Sequence, residues 1–204
     1  MVTSDVDGIK VCGVLFEAGD KQSETLLKVG NEKAEVSHSD NPICFSDVYF
    51  RVGGANYKGK VKNCVTINSN DVIGDNFWVW RADHGDNVGW DMNTAPNGIV
   101  INGDNVTMYG LFVEHFQEYQ TIWNGNGGKL YFYQSEMPYD APNQKYYMSH
   151  NGKVKGYASF KIGDEVNDFY GCGLGIYCYN RDANIEIFSG AEIPNKDGVE
   201  IRNI

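Results

Sequence analysis

The fold is decided by one stretch, residues 102–136, which reads NGDNVTMYGLFVEHFQEYQTIWNGNGGKLYFYQSE. Within it, a strand-like run followed by an Asn-Gly turn recurs after 22 residues, from Asn102 to Asn124. A period of this size is close to one coil of a parallel β-helix, in which each turn of the chain adds a strand to each face. The stretch therefore favours a parallel β-helix.

The same kind of pattern extends through most of the chain. Gly- and Asn-rich turns separate short runs in which apolar and polar residues alternate, and no window shows a helical period. The runs lie at 10–16, 43–52, 61–67, 77–80, 99–101, 106–113, 121–123 and 130–133. An antiparallel sandwich or jelly roll would also give short strands and such turns, so composition alone leaves the two architectures at about even odds.

The length of 204 residues suits one domain, 1–204. Beyond the deciding stretch the pattern loosens, and residues 141–204 are predicted to hold looser loops and terminal coils, with a helical turn near 161–166. The last residues, GVEIRNI, begin a strand with nothing to pair against. We therefore expect the chain to be a fragment of a larger protein.

The charge balance excludes several classes of partner. Acidic residues outnumber basic ones 27 to 17, which gives a net charge of −10, and no Lys/Arg cluster is present to neutralise phosphates. Nucleic acid and anionic membranes are therefore not expected as partners, and no run approaches the ~18 apolar residues of a membrane span. The 13 Tyr, 10 Phe and 4 Trp suit neutral, hydroxyl-rich ligands instead.

The sequence predicts neither a metal site nor a cofactor. Asp83, His84 and Asp86 are too few and too closely spaced for a catalytic zinc site, and no calcium-loop or nucleotide-binding motif occurs. Five cysteines are scattered without CxxC spacing. Cys172 and Cys178 could form a bridge, although buried thiols are the favoured interpretation.

Two strand-like runs in the deciding stretch end on a glutamate among aromatic residues. Glu114 and Glu136 lie one coil apart, and residues one coil apart in a β-helix stack about 4.8 Å from each other. Glycoside hydrolysis needs such a pair, one group to protonate the leaving oxygen and one to act on the opposite side of the sugar. Two ordinary exposed glutamates would look the same in the sequence. By alternation, His115 is expected on the face opposite Glu114, with a structural hydrogen bond.

These segments resemble glycoside hydrolase family 55, the β-1,3-glucanases or laminarinases. The resemblance is carried by FWVWRADH at 77–84, VTMYGLFVEH at 106–115, YQ at 119–120 and YQSEMPY at 133–139. It implies an all-β, single-stranded right-handed parallel β-helix of the pectin-lyase type. It further implies a tandem protein of two such halves with the cleft between them, of which this chain resembles the C-terminal half, so that an N-terminal half is missing.

The resemblance also implies a mechanism and a set of site residues. The enzymes of this family hydrolyse β-glucan with inversion, need no cofactor and act outside the cell. Glu136 occupies the position of the general acid, and Glu114 that of the residue that helps to hold the attacking water. Apart from the resemblance, we expect Tyr139, Trp80, Trp123, Gln134 and His84 to bind the substrate, because aromatic faces stack on sugars and polar groups bind their hydroxyls.

Two alternatives remain beside the glycosidase. A non-catalytic module that binds or displays carbohydrate would keep the fold and the glutamate pair while lacking the other wall of the cleft. Polysaccharide lyase chemistry on the same fold needs a basic residue to meet a uronate carboxylate, and the acidic balance of this chain disfavours it.

Overall fold

The computed structural model describes residues 1–32, 35–55 and 58–204. Its strands are, in chain order, β1 (Val2–Thr3), β2 (Lys10–Glu17), β3 (Ser23–Val29), β4 (Ile43–Val52), β5 (Val61–Ile67), β6 (Val72–Arg81), β7 (Asn97–Ile101), β8 (Thr107–Glu114), β9 (Thr121–Trp123), β10 (Gly128–Glu136), β11 (Met148–Ser149), β12 (Val154–Lys155), β13 (Phe160–Ile162), β14 (Phe169–Tyr177), β15 (Ala191–Glu192) and β16 (Val199–Arg202). One 3₁₀ turn covers Gln144–Tyr146. None of the described residues belongs to a helix long and apolar enough to cross a bilayer.

Fourteen of these strands form two parallel sheets. The first sheet has the order β1-β3-β5-β7-β9-β13-β15, and the second, read from its other end, has the order β2-β4-β6-β8-β10-β14-β16. Each turn of the chain thus adds one strand to each sheet, and all neighbours within the two sheets pair in parallel. Parallel crossovers are right-handed. The parallel β-helix is confirmed, and the antiparallel sandwich is excluded.

The core lies between the two sheets and consists of ladders of apolar side chains. One ladder runs through five consecutive strands of the second sheet and contains Val48, Phe77, Leu111, Tyr133 and Leu174. All five side chains are buried. Because side chains alternate between the faces of a strand, the residues beside each of them point outward from the second sheet.

The Asn-rich turns form a second ladder at one corner of the stack. The Asn124 side-chain amide donates to Asn102 Oδ1, and that of Asn102 donates to Asn68 Oδ1, each at 2.8 Å. Each carboxamide is both donor and acceptor, so the pattern repeats from coil to coil. The recurrence from Asn102 to Asn124 is therefore one complete coil.

Sequence and structure agree best in the first two thirds of the chain. The predicted runs 43–52, 61–67 and 121–123 coincide with β4, β5 and β9, whereas β3 was not predicted. The helical turn near 161–166 is wrong, because Phe160–Ile162 pairs with β9 as a strand. The terminal strand also has a partner, since β16 pairs with β14.

The region 141–204 contains both irregular chain and further coils. Residues 141–159 leave the stack, form the 3₁₀ turn and the antiparallel pair β11-β12, and then return as β13. The chain then adds β14, β15 and β16 to the two sheets. The looseness seen in the sequence therefore belongs to two irregular segments, 141–159 and 178–190, and regular strands follow each of them.

The five cysteines are free. Cys172 lies within β14 and Cys178 directly follows its end. An extended chain rises about 3.3 Å per residue, so their Cα atoms lie well beyond the ~7 Å that a disulfide can span. The possible Cys172–Cys178 bridge is therefore excluded.

Candidate active site

Three neighbouring strands of the second sheet end at the same place. In register across β6, β8 and β10 stand Trp80, Glu114 and Glu136. Each follows an inward-facing, buried residue, so all three side chains point outward on one face. The two glutamates predicted to lie one coil apart are thus direct neighbours. They border a cavity of about 230 Å³, whose lining residues are Trp78, Trp80, Asp83, His84, Glu114, His115 and Glu136.

The carboxyl group of Glu136 is held by two donors from its own segment. The Tyr139 hydroxyl donates to Oε2, and the Gln134 amide lies 3.4 Å from Oε1. Pro138 has no N–H for the ladder, and the chain turns after Met137 so that Tyr139 comes back over the carboxyl group. Burial and the acceptor carboxylate together raise the pKa of Tyr139, which keeps its hydroxyl protonated as a donor.

Glu114 has a different environment. Its Oε2 accepts a hydrogen bond of 2.8 Å from Trp78 Nε1. Burial raises the pKa of Glu114 and outweighs this hydrogen bond, and the nearby Glu136 and Asp83 raise it further. The site therefore favours the protonated form of Glu114 more than water does.

His115 lies in the site, contrary to the expectation that it would face away. It follows the last residue of β8 and has a φ of 68°, in the left-handed region. This conformation breaks the alternation of the strand. As a result Nδ1 lies 3.3 Å from the Met137 carbonyl, which agrees with the expected structural hydrogen bond, and Nε2 lies 3.7 Å from Glu136 Oε2. Burial lowers the pKa of His115 and outweighs the neighbouring carboxylates.

Asp83 is a third carboxyl group of the site, which from the sequence was considered only as a zinc ligand and rejected. Its Oδ1 lies 2.7 Å from His84 Nδ1 and 3.6 Å from His115 Nε2. Burial by itself raises the pKa of Asp83, but the two histidines outweigh it and leave the pKa lowered. Arg181, from the far end of the chain, donates to the Asp83 carbonyl at 3.0 Å. No motif links these two positions in the sequence.

The aromatic residues predicted to bind sugar divide into two groups. Trp80 stacks on Trp78 with ring centres 5.4 Å apart, and His84 lies 5.2 Å from Trp80 with its side chain 76% exposed. Trp123, by contrast, is fully buried and packs against Phe169. It points into the core from the first sheet and has no access to a ligand, so the prediction that Trp123 binds substrate is wrong.

An apolar groove adjoins the site on the same face. It has a volume of about 460 Å³ and shares Trp78 and Trp80 with the cavity. Its other lining residues are Leu15, Tyr49, Phe50 and Arg51. Trp78 is 42% exposed and Leu15 52%. Aromatic faces beside carboxyl groups are suited to a sugar, which offers C–H faces for stacking and hydroxyls for hydrogen bonds.

Chemically, the cavity combines two adjacent carboxyl groups, a third carboxyl group and a buried imidazole. Such a set can donate a proton, accept one and hold a water molecule or a hydroxyl group. Within the described ranges 1–32, 35–55 and 58–204, no group of three or more His, Cys, Asp or Glu side chains converges as a metal site would.

Comparison with known proteins places this geometry in a family. Residues 1–136 match the model of the LAM55 pectate lyase-like domain. Over 201 residues the chain is 47% identical to an exo-beta-1,3-glucanase of Streptomyces sp. (strain SirexAA-E / ActE), covering 98% of this chain and 33% of that protein. The chain thus spans about a third of the length of this relative.

Solved structures give the same result. The structure of sacteLam55A from Streptomyces sp. SirexAA-E matches with a TM-score of 0.94 and 47% identity, covering 98% of this chain and 36% of that one. A variant of sacteLam55A with one glutamate replaced by alanine, in complex with glucose, matches with a TM-score of 0.93 and 45% identity over the same shares. Because the family model covers more than half of its residues, this chain belongs to the LAM55 pectate lyase-like domain family.

Proposed function

We propose that this chain supplies the acid side of a β-glucan hydrolase, with β-1,3-glucan as its substrate and Glu136 as the general acid. The observation that carries the proposal is the in-register pair of Glu114 and Glu136, with the Tyr139 hydroxyl fixing the orientation of the Glu136 carboxyl group. A proton donor must be held within hydrogen-bonding reach of the leaving oxygen. The similarity to an exo-beta-1,3-glucanase supports the choice of substrate.

Glu114 orients or activates the attacking water in this proposal. Adjacent strands lie about 4.8 Å apart, so both carboxyl groups approach a bound sugar from the same wall. An inverting displacement needs its water on the opposite face of the ring. The rest of the water-binding set therefore comes from outside this chain, from an N-terminal β-helix half that faces the open cavity. The length of the relatives, about three times that of this chain, supports this arrangement.

The sugar subsites follow from the half-buried and exposed side chains around the acid. Trp80 offers a stacking face, whereas Tyr139, Gln134 and His84 offer polar groups at the rim. Hydrolysis by this route needs no cofactor, because the protein supplies both the acid and the group that activates water. We place the enzyme outside the cell, where a polysaccharide is accessible.

A non-catalytic carbohydrate-binding module is the second candidate. It is favoured by the single wall of the cleft that this chain provides and by the small share of each relative that it covers. Such a module would bind glucan through the aromatic groove and release no product.

The deciding experiment measures reducing sugar released from laminarin by the parent chain, Glu136→Gln and Glu118→Gln. Gln keeps the shape of Glu but removes the transferable proton, and loss of a general acid lowers turnover by about 10²- to 10⁴-fold. Glu118→Gln is the matched control, since Glu118 is half-buried but outside the cavity. Equal, measurable rates for the parent and Glu136→Gln, alone or with the N-terminal half of a relative added, would refute the role of Glu136.

In this proposal turnover requires the other half of the cleft, so laminarin binding is measured beside turnover. Laminarin binding by the parent without release of sugar, even after the N-terminal half of a relative is added, would favour the binding module. Release that appears only with the added half would support the proposed division of the cleft.

A further inference from the structure

A buried ion pair lies directly beneath the candidate site. The side chain of Arg81 is fully buried and that of Asp140 is 6% exposed, and the two form a bidentate contact. Arg81 Nη1 donates to Asp140 Oδ1 at 2.9 Å, and Nη2 donates to Oδ2 at 2.7 Å. Both residues are sequence neighbours of site residues, since Arg81 follows Trp80 and Asp140 follows Tyr139.

The remaining donors of Arg81 bind backbone carbonyls. Nε donates to the Asn93 carbonyl at 2.8 Å, Nη2 to the Gly89 carbonyl at 3.1 Å, and Nη1 to the His115 carbonyl at 3.0 Å. All five N–H groups of the guanidinium are thus used. A lysine offers three donors from a single point and cannot reproduce this fork.

These contacts join the three strand ends that carry the site. Arg81 is the last residue of β6, His115 directly follows β8, and Asp140 follows the turn after β10. The pair, with the contact of Arg81 to the His115 carbonyl, reaches all three segments at once. Its geometry therefore bears on how their outward side chains are placed relative to each other.

The contact with His115 falls on a residue in an unfavourable conformation. A non-glycine residue with positive φ costs about 1–3 kcal/mol and persists where its surroundings fix it. The His115 peptide is bound on both sides: its N–H donates to the Glu136 carbonyl at 2.8 Å, and its carbonyl accepts from Arg81. The same conformation turns the imidazole toward Glu136.

Stability alone is a weak reason for such a pair. The desolvation of two charges offsets most of their attraction, and replacing a buried pair by apolar residues is often neutral or stabilising. We propose that Arg81 and Asp140 are positioning residues of the candidate active site, which hold the His115 peptide in its left-handed conformation so that the imidazole faces Glu136. This inference rests on the proposed function for its role in catalysis, but not for the geometry that it predicts.

The geometry predicts an unusual tautomer of His115. Nδ1 faces the Met137 carbonyl, which can only accept, so the proton of the neutral ring belongs on Nδ1 and leaves Nε2 bare toward Glu136. Free histidine in water carries the proton mainly on Nε2. The tautomer is read from ¹⁵N chemical shifts of the ring, and the His115 signals are identified by their loss in His115→Asn.

Two variants test the pair. Asp140→Asn leaves Arg81 without its counter-charge, and the double variant Arg81→Met with Asp140→Leu removes both charges while keeping an apolar filling that protects the fold. In both, the Nδ1–H signal of His115 is expected to give way to a mixture dominated by Nε2–H. The matched control is Ile101→Ala, a buried core change in the first sheet, which is expected to lower stability by about 2–5 kcal/mol and leave the tautomer unchanged.

Three results would overturn the inference. The first is an unchanged tautomer in both pair variants, and the second is the same change in Ile101→Ala. The third is failure of both pair variants to fold, because the pair would then serve the fold as a whole rather than the His115 peptide.

Kinetic measurements on two substrates distinguish a positioning role from a purely structural one. In an active parent, Asp140→Asn is expected to lower kcat on laminarin at least tenfold with little change in KM. The loss should be much smaller on an aryl β-glucoside whose leaving group needs no proton. Equal losses on both substrates would contradict a role in placing the acid. A parent that shows the predicted tautomer but hydrolyses neither substrate, even with the N-terminal half of a relative added, would refute the proposed function and leave the positioning of His115 standing.

Discussion

At the N-terminal end of the coil stack the ring of His38 is bound at both nitrogens, with Nδ1 2.7 Å from Asp7 and Nε2 2.9 Å from Asp5. In the candidate site the ring of His115 has one such contact, to a carbonyl, and its Nε2 lies 3.6 and 3.7 Å from two carboxyl groups. Both side chains are buried. Burial lowers the pKa of each ring, but at His38 the two carboxylates outweigh it and raise the pKa, whereas at His115 burial prevails.

The difference separates a closed structural cluster from the open candidate site. Two hydrogen bonds to carboxylates require both ring nitrogens of His38 to carry protons, so the cluster is a closed set around an imidazolium. Further contacts complete it, since Asp71 accepts from the His38 backbone N–H and Ser69 donates to Asp5. At His115 the distances to the carboxyl groups exceed hydrogen-bonding reach, which leaves polar atoms free for a ligand.

The largest effect that we expect is a loss of stability when a substitution breaks the cluster around His38. His38→Ala leaves Asp5, which is 7% exposed, without its cationic partner, and loss of one partner of a buried pair costs about 3 kcal/mol or more. The free energy of unfolding, measured in urea, should fall by this amount while turnover of laminarin stays unchanged. His150→Ala is the control at an exposed histidine, where a change within about 0.5 kcal/mol is expected. A loss below 1 kcal/mol in His38→Ala would show that the cluster is not a closed ion pair.

The next largest effect concerns the candidate site, where we expect turnover to fall while stability stays the same. His115→Asn keeps a donor for the Met137 carbonyl, and Asn tolerates positive φ better than most residues, but the variant loses the Nε2 edge that faces Glu136. We expect turnover to fall by about tenfold, equal to about 1.4 kcal/mol in the barrier, with the free energy of unfolding unchanged at neutral pH. Thermal unfolding and laminarin hydrolysis, measured on the same preparation, check this. Full activity in His115→Asn would mean that His115 contributes to the site only through its backbone and that its ring is not needed.

The contrast between the two clusters also shows what a sequence can predict. Glu114 and Glu136 were found because their coil is short and regular, so their spacing equals one turn of the stack. The next coil contains the excursion of 141–159. The spacing from β9 to β13 and from β10 to β14 is therefore much longer than 22 residues, and no repeat is visible there in the sequence. The regular part of the fold was therefore predictable, and the irregular coil was not.

The predictions for some single side chains were wrong for a different physical reason. His115 was placed on the wrong face because its left-handed backbone is fixed by tertiary contacts, and no local residue type signals it. Trp123 was assigned to the substrate because a strand of three residues gives no alternation from which to read its inner face. Arg181 reaches Asp83 across 98 positions, and no motif connects them.

A smaller effect is expected on the free energy of unfolding when the buried carboxyl group of Glu114 is replaced. Since burial raises the pKa of Glu114 above its usual value, the folded state loses stability as the pH rises through that pKa and the buried group ionises. Glu114→Gln keeps the acceptor for Trp78 without the charge. At neutral pH we expect the Glu114→Gln variant to be more stable than the parent by about 1 kcal/mol, because the neutral amide removes a buried charge, and to be less active.

The pH dependence provides the check on that variant. The stability difference between parent and Glu114→Gln should vanish below about pH 4.5, where Glu is protonated in both folded and unfolded chains. Thermal unfolding from pH 4 to 8 measures it. A difference that stays constant over this range would have a cause other than ionisation.

The smallest effect uses the two histidines as opposite pH probes. The unfolded pKa of both is about 6.5. His38 has a raised pKa in the folded chain, so its contribution is complete below pH 6.5 and is lost as the pH rises through the folded value. His115 has a lowered pKa, so its contribution is complete above pH 6.5 and is lost as the pH falls through that value toward the folded one.

The two variants should therefore flatten opposite sides of the stability profile. His38→Gln removes the decline on the alkaline side, and His115→Asn removes the decline on the acid side, each by less than about 1.4 kcal/mol per pH unit, the limit for one proton. Urea unfolding of the parent and both variants from pH 5 to 9 resolves the two slopes. If both variants flattened the same side, the two rings would carry the same charge in the folded chain, and the distinction between a closed ion cluster and an open site would fail.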